Sequence, residues 1–193
     1  MRLAATLLLL LSWNAMAALT TKKVSWELDG APYEGVLIAD DKGPARPGLV
    51  MVPNWLGVTD EAVKQGELVA ARGYVVLVAD VYGTKNRPKN FAEAGKSAGA
   101  LKGDRAALRL RMTKALEVLL AQKSVKLDTT KVGAIGFCFG GTAALELAER
   151  HGLAVIEDDG SGQMGGTAIE PSLPARLVDV PAANRREDRR YPR

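Results

Sequence analysis

A chain of 193 residues can form one domain with a sizeable core, and 47% apolar with 25% charged residues is an ordinary globular balance. The single cysteine excludes an internal disulfide, and one histidine beside it makes no ligand cluster for a metal. Of the formal net charge of +4, Arg2 carries one unit and residues 184–193 carry three, so the stretch 18–183 is neutral, which argues against a nucleic-acid surface on the folded body.

The first 17 residues have the pattern of a secretory signal. Arg2 supplies the positive end, residues 7–11 are all leucine, and Ala15-Met16-Ala17 is a small-x-small cleavage site. The apolar run is too short to span a bilayer, so no membrane span is expected after cleavage. The mature chain is expected to begin at Ala18 and to be exported, to a bacterial periplasm. A lone free thiol is unusual in an oxidising compartment, which favours a working role for Cys138.

Residues 22–28 alternate as a strand with Val24 and Trp26 on one face. Asp29-Gly30 signals a hairpin, and residues 34–38 can return as its partner. A polar loop follows over 40–47. Residues 48–52 form a continuous apolar run, which suits a parallel strand covered on both faces. Thr59 can cap a helix that carries Asp60 and Glu61 in its first turn and stops at Gly73. Residues 74–79 are the next apolar strand, ending at Asp80. Such a strand–helix–strand unit crosses over right-handed.

Residues 81–90 read as a polar loop and 91–100 as a short helix. Asp104 can cap a longer helix through Ala121, with Leu108, Met112, Ala115, Leu116 and Leu119 as its apolar stripe. Arg105, Arg109 and Glu117 are expected on its solvated face. Residues 132–135 are the third parallel strand, and 142–150 are a helix.

Between those last two elements lies Gly136-Phe137-Cys138-Phe139-Gly140-Gly141. This is the pattern G-x-nucleophile-x-G. A strand that turns directly into a helix leaves little room at the turn, and Gly136 and Gly140 supply that room because they lack a Cβ. The thiol of Cys138 is then expected to stand exposed at the start of the following helix. Free N–H groups and the helix dipole favour a thiolate and a developing oxyanion there, with the Phe139 N–H aimed at the latter. The bland alternative is a glycine-rich turn around a buried, inert cysteine. A phosphate loop is excluded, because no Lys-Ser/Thr follows the glycines.

Three stretches, LVMVPNWLGV at 49–58, GYVVLVADVY at 73–82 and VGAIGFCFGG at 132–141, resemble the dienelactone hydrolase family, a branch of the α/β-hydrolase fold. The likeness covers residues 22–151. It implies an α/β fold: a partial α/β-hydrolase sheet, mainly parallel and flanked by helices, with the C-terminal strands missing. It also implies that Cys138 attacks a lactone or ester carbonyl, and that the N–H groups of Phe139 and Trp55 form the oxyanion hole. No cofactor is implied, and the expected partner is a small-molecule ester or lactone.

Two departures from the family's pattern stand out. Members carry a glutamate before the position of Trp55, and here that position is Asn54. Members also carry a substrate-binding arginine two residues after the tyrosine of D-x-Y; here Thr84 stands there, with Lys85 and Arg87 nearby. Asn54, Lys85 and Arg87 are therefore candidate substrate contacts.

After residue 152 the family's pattern ends. The fold calls for an acid and then a histidine on later loops, but residues 153–162 read LAVIEDDGSG, glycine, proline and arginine then dominate to Arg193, and 153–193 reads as a disordered, unrelated tail. That points to a truncated or frame-shifted member, with an uncovered apolar edge beside the elbow strand. The only histidine, His151, sits thirteen residues after Cys138 on the same helix, roughly 20 Å away at 1.5 Å per residue, too far for a general base. Two further readings remain: an exported binding module that keeps the pocket without the chemistry, and a thiol-redox protein, which lacks a resolving cysteine.

Overall fold

The computed structural model describes residues 19–158. The signal pattern and residues 159–193 lie outside the described residues. The described chain forms six strands and four helices: β1 Leu19–Leu28, β2 Ala31–Asp40, β3 Arg46–Val52, α1 Asp60–Ala70, β4 Val75–Val78, α2 Phe91–Gly103, α3 Arg105–Leu120, β5 Leu127–Phe137, α4 Phe139–His151 and β6 Ala154–Asp158.

The six strands make one sheet in the order β1-β2-β4-β3-β5-β6. The hairpin β1–β2 forms where Asp29-Gly30 predicts it, and both residues take positive φ, 50° and 74°. That is the conformation a two-residue turn needs to match the twist of its strands. β2 pairs antiparallel with β4, while β4, β3, β5 and β6 run parallel.

The central strands are apolar at consecutive positions because both faces are covered. Leu37, Val50, Leu77 and Ala134 point to the face packed by α2, α3 and α4, where Leu101, Leu108, Met112, Leu119 and Leu147 meet them. Ile38, Met51, Val76 and Ile135 point to the other face, which α1 covers with Ala62, Val69 and Ala70. The helices start where their caps are predicted. The Thr59 Oγ1 accepts from the Ala62 N–H at 3.2 Å, and the Asp104 Oδ1 accepts from the Ala107 N–H at 2.9 Å.

Two expectations change. The helix at residue 91 does not end at 100 but runs to Gly103, since Asp104 both closes it and caps α3. The stretch from 153, expected as the start of a structureless tail, instead forms β6, paired with β5 from Gly133↔Ala154 to Phe137↔Asp158. The reversal comes from Gly152, which ends α4 at φ 65°, with its N–H on the Ala148 carbonyl at 2.7 Å. Its left-handed conformation turns the chain back along the elbow strand. The acidic composition at 157–158 hid this strand, but ladder pairing is made by the backbone and does not require apolar side chains. β5 is therefore paired on both sides, and its edge is not left bare.

Candidate active site

The sheet topology selects one crevice. β3 leads into α1 on one face of the sheet, and its neighbour β5 leads into α4 on the other. The loops at the carboxyl ends of these two strands diverge, which is where open α/β sheets bind ligands. The loop after β3 carries Asn54 and Trp55, and the turn after β5 carries Cys138.

The turn is as tight as the glycine spacing predicts. A Cβ on Gly136 would collide with the Gly140 carbonyl, and one on Gly140 would collide with the Val52 carbonyl and stand 2.5 Å from that of Pro53. Cys138 is held between them at φ 55°, ψ −116°, a strained conformation for a residue with a side chain, and it is exposed. α4 begins at the next residue. The Phe139 N–H is at its first position and has no acceptor inside the helix.

The facing loop is fixed by its own bonds and by Tyr82. The Asn54 Oδ1 accepts from the Leu56 N–H at 2.9 Å, and the Asn54 carbonyl accepts from Gly57 at 3.0 Å. The Tyr82 hydroxyl donates to the Trp55 carbonyl at 2.9 Å, and its ring stacks on Phe139 with centroids 6.1 Å apart. One side chain thus touches both residues predicted to supply the oxyanion donors. Burial first, then the charge of Asp80, pushes the Tyr82 pKa up to about 12, so the hydroxyl keeps its proton.

The Dienelactone hydrolase family model matches residues 34–156, more than half of the chain. The chain belongs to the dienelactone hydrolase family. Among solved structures it is similar to a dienelactone hydrolase-like promiscuous phosphotriesterase, P91, from metagenomic libraries: 34% identity over 72% of this chain and 59% of that one, TM-score 0.67. It is equally similar to the protein named m3DLH, at 34% identity, the same coverage and TM-score 0.66. A dienelactone hydrolase from Anabaena variabilis shares the fold at 21% identity, with TM-score 0.56 over 72% of this chain and 62% of that one. The chain spans 59% of the length of the first two relatives. No curated protein sequence matches it.

Against that family background, the remaining candidate residues sort by position. Asn54 is engaged within its own loop, as described. Arg87 donates to the buried Asp80 carboxylate at 3.0 and 3.2 Å and to the Glu34 carbonyl. Lys85 and Arg87 line a separate cleft that none of Cys138, Phe139, Trp55 and Asn54 lines. His151 stands at the far end of α4, with Nε2 3.1 Å from the Thr113 Oγ1 on α3. Among the described residues no group of three or more His, Cys, Asp and Glu side chains could hold a metal ion.

The solvated face expected for α3 is only partly correct. Glu117 pairs with Lys114 at the surface. Arg105 and Arg109 instead reach Glu146 on α4, which is 1% exposed: the Arg109 Nε donates to Oε2 at 2.5 Å, and Arg105 forms an ion pair with Oε1. A carboxylate so buried needs a cation. The available signal was a glutamate beside Leu147 on a face that otherwise packs. Tyr82 and Asp80 were also missed as site-shaping residues, because the partners of both are distant in sequence.

Gly136→Ala is expected to lower stability by more than about 2 kcal/mol, because its Cβ meets backbone that cannot move independently; urea unfolding checks this. Stability is also expected to depend on pH through His151. Burial, then the charge of Arg150, lowers its pKa below the ordinary 6.5. The unfolded chain then binds more protons in the window below 6.5, so stability falls as pH falls through that value. Tm measured from pH 7.5 down to 5 is expected to drop, and His151→Gln to flatten the part due to this residue.

Proposed function

We propose that the chain is a hydrolase of carboxylic esters or lactones that uses Cys138 as its nucleophile. The observation that carries this reading is the exposed Cys138 held at φ 55° where β5 turns into α4. In the acylation step the thiolate sulfur attacks the carbonyl carbon and a C–S bond forms. The carbonyl oxygen takes the electron pair and accepts from the N–H groups of Phe139 and Trp55. Collapse of this intermediate breaks the ester C–O bond and leaves a thioester, and the alkoxide takes a proton from water and departs as the alcohol. Water then cleaves the thioester, releasing the acid and restoring the thiol.

The two halves of the cycle are unequally supported. For acylation, Cys138 and the N–H groups of Phe139 and Trp55 are the candidate groups. Deacylation needs a base within hydrogen-bond reach, and His151, the chain's only histidine, bonds Thr113 at the opposite end of α4. Slow turnover by this chain follows. The same observation favours a second reading, a binding module that keeps the pocket without catalysis. We also propose export, on the pattern of residues 1–17; amino-terminal sequencing of the secreted protein is expected to begin at Ala18, and a retained leader would overturn this.

With p-nitrophenyl acetate, stopped-flow absorbance is expected to show a burst of about one p-nitrophenol per chain, then slow release. Mass spectrometry is expected to find one acetyl group on Cys138. Cys138→Ala is expected to lose both signals. A burst that survives this substitution would sink the nucleophile assignment, while saturable lactone binding without acylation would establish the binding module. A p-nitrophenyl phosphate triester belongs in the same assay, because one relative at 34% identity is named a phosphotriesterase.

A further inference from the structure

Beside α2 lies a cleft of about 540 Å³, within the size range of small-molecule sites. Its lining includes Lys85, Arg87 and Lys89 from the loop after β4, Lys96 from α2 and Arg111 from α3. Glu93 is the only carboxylate among the lining residues. Tyr82 is also in the lining, and its hydroxyl bonds the Trp55 carbonyl in the loop after β3.

The charges do not cancel within the cleft. Glu93 is held by the helix start: Oε2 accepts from the Lys89 backbone N–H at 2.8 Å, and Oε1 accepts from the Asn90 Nδ2 at 3.0 Å. Arg87 is neutralised by Asp80. Arg111 donates one N–H to the Val81 carbonyl at 2.6 Å and lies over the Tyr33 ring, and neither group carries a negative charge that answers its own. Lys85, Lys89 and Lys96 have no carboxylate within ion-pair distance among the described residues. Three ammonium groups and a guanidinium therefore line one open cleft without an ion-pair partner among the described residues, against the single carboxylate of Glu93. A concave wall focuses such a field and raises the local concentration of counter-ions.

We infer that this cleft is a second binding site, separate from Cys138, for a small organic anion of two or more negative charges. Lysines act as movable point charges that can meet oxygens from several directions, and Arg111 adds a planar fork. Phosphate esters and polycarboxylates share this chemistry. The site stands independently of the hydrolase reading, since the elbow residues do not line it.

The test is calorimetric titration of the full chain with pyrophosphate and, separately, with citrate at low salt. Saturable binding of one or both is expected, weakening as sodium chloride is raised. The tighter of the two probes identifies the phosphate or the carboxylate class. Lys85→Gln/Lys96→Gln is expected to weaken binding at least about tenfold with unchanged circular dichroism, since both lysines are exposed. Cys138→Ala is expected to leave binding unchanged, which separates this result from failure of the hydrolase assignment. No saturable binding of either probe, or equal binding by the double variant, would overturn the inference.

Discussion

The passage from β5 into α4 runs through a space that admits no Cβ at Gly136 or Gly140. Because backbone carbonyls bound that space, nothing can yield to a larger residue. The turn closes only if Cys138 takes a positive φ, and a side chain in that conformation costs on the order of 1–3 kcal/mol. The surroundings hold it there. β5 is paired by β3 on one side and β6 on the other, and α4 packs on the sheet and is clamped to α3 through Glu146. Strain at the thiol persists because everything around it is over-determined.

A second constraint runs through Asp80. Its buried carboxylate accepts from the backbone of Glu34, Tyr82 and Gly83 and from the Arg87 guanidinium. A carboxylate that is 1% exposed needs such a set of donors. Those bonds tie the loop after β4 to β2 and place Tyr82 between Trp55 and Phe139. The alignment of the elbow's facing loop therefore depends on an ionic group that never touches it. The same anchoring pairs Arg87 with Asp80, while Lys85 and Lys89 of that loop have no carboxylate within ion-pair distance among the described residues.

The geometry separates what this stretch of chain can do from what it leaves to other groups. Cys138 and the backbone N–H groups of Phe139 and Trp55 belong to two loops whose strands lie side by side in the sheet. Positioning them is a property of the parallel core, in which β5 is paired by β3 and β6. Proton transfer to and from the thiol needs a group that can reach the crevice, and His151 is directed toward α3 instead.

Local signals made much of this legible. Asp29-Gly30, the caps Thr59 and Asp104, the apolar runs of β3 and β4 and the glycine spacing around Cys138 each act over a few residues. Backbone sterics at that range depend on residue type alone, so the hairpin, the helix starts, the parallel core and the elbow with its exposed thiol can be read from neighbouring residues. The packing of distant elements fixes which cations neutralise Asp80 and Glu146, that Tyr82 touches both Trp55 and Phe139, that residues 154–158 pair with β5, and that Lys85 and Lys96 share a cleft. Each of these joins groups from different elements, and their pairing depends on how the helices and loops settle on the sheet. No periodicity within a single segment carries that information.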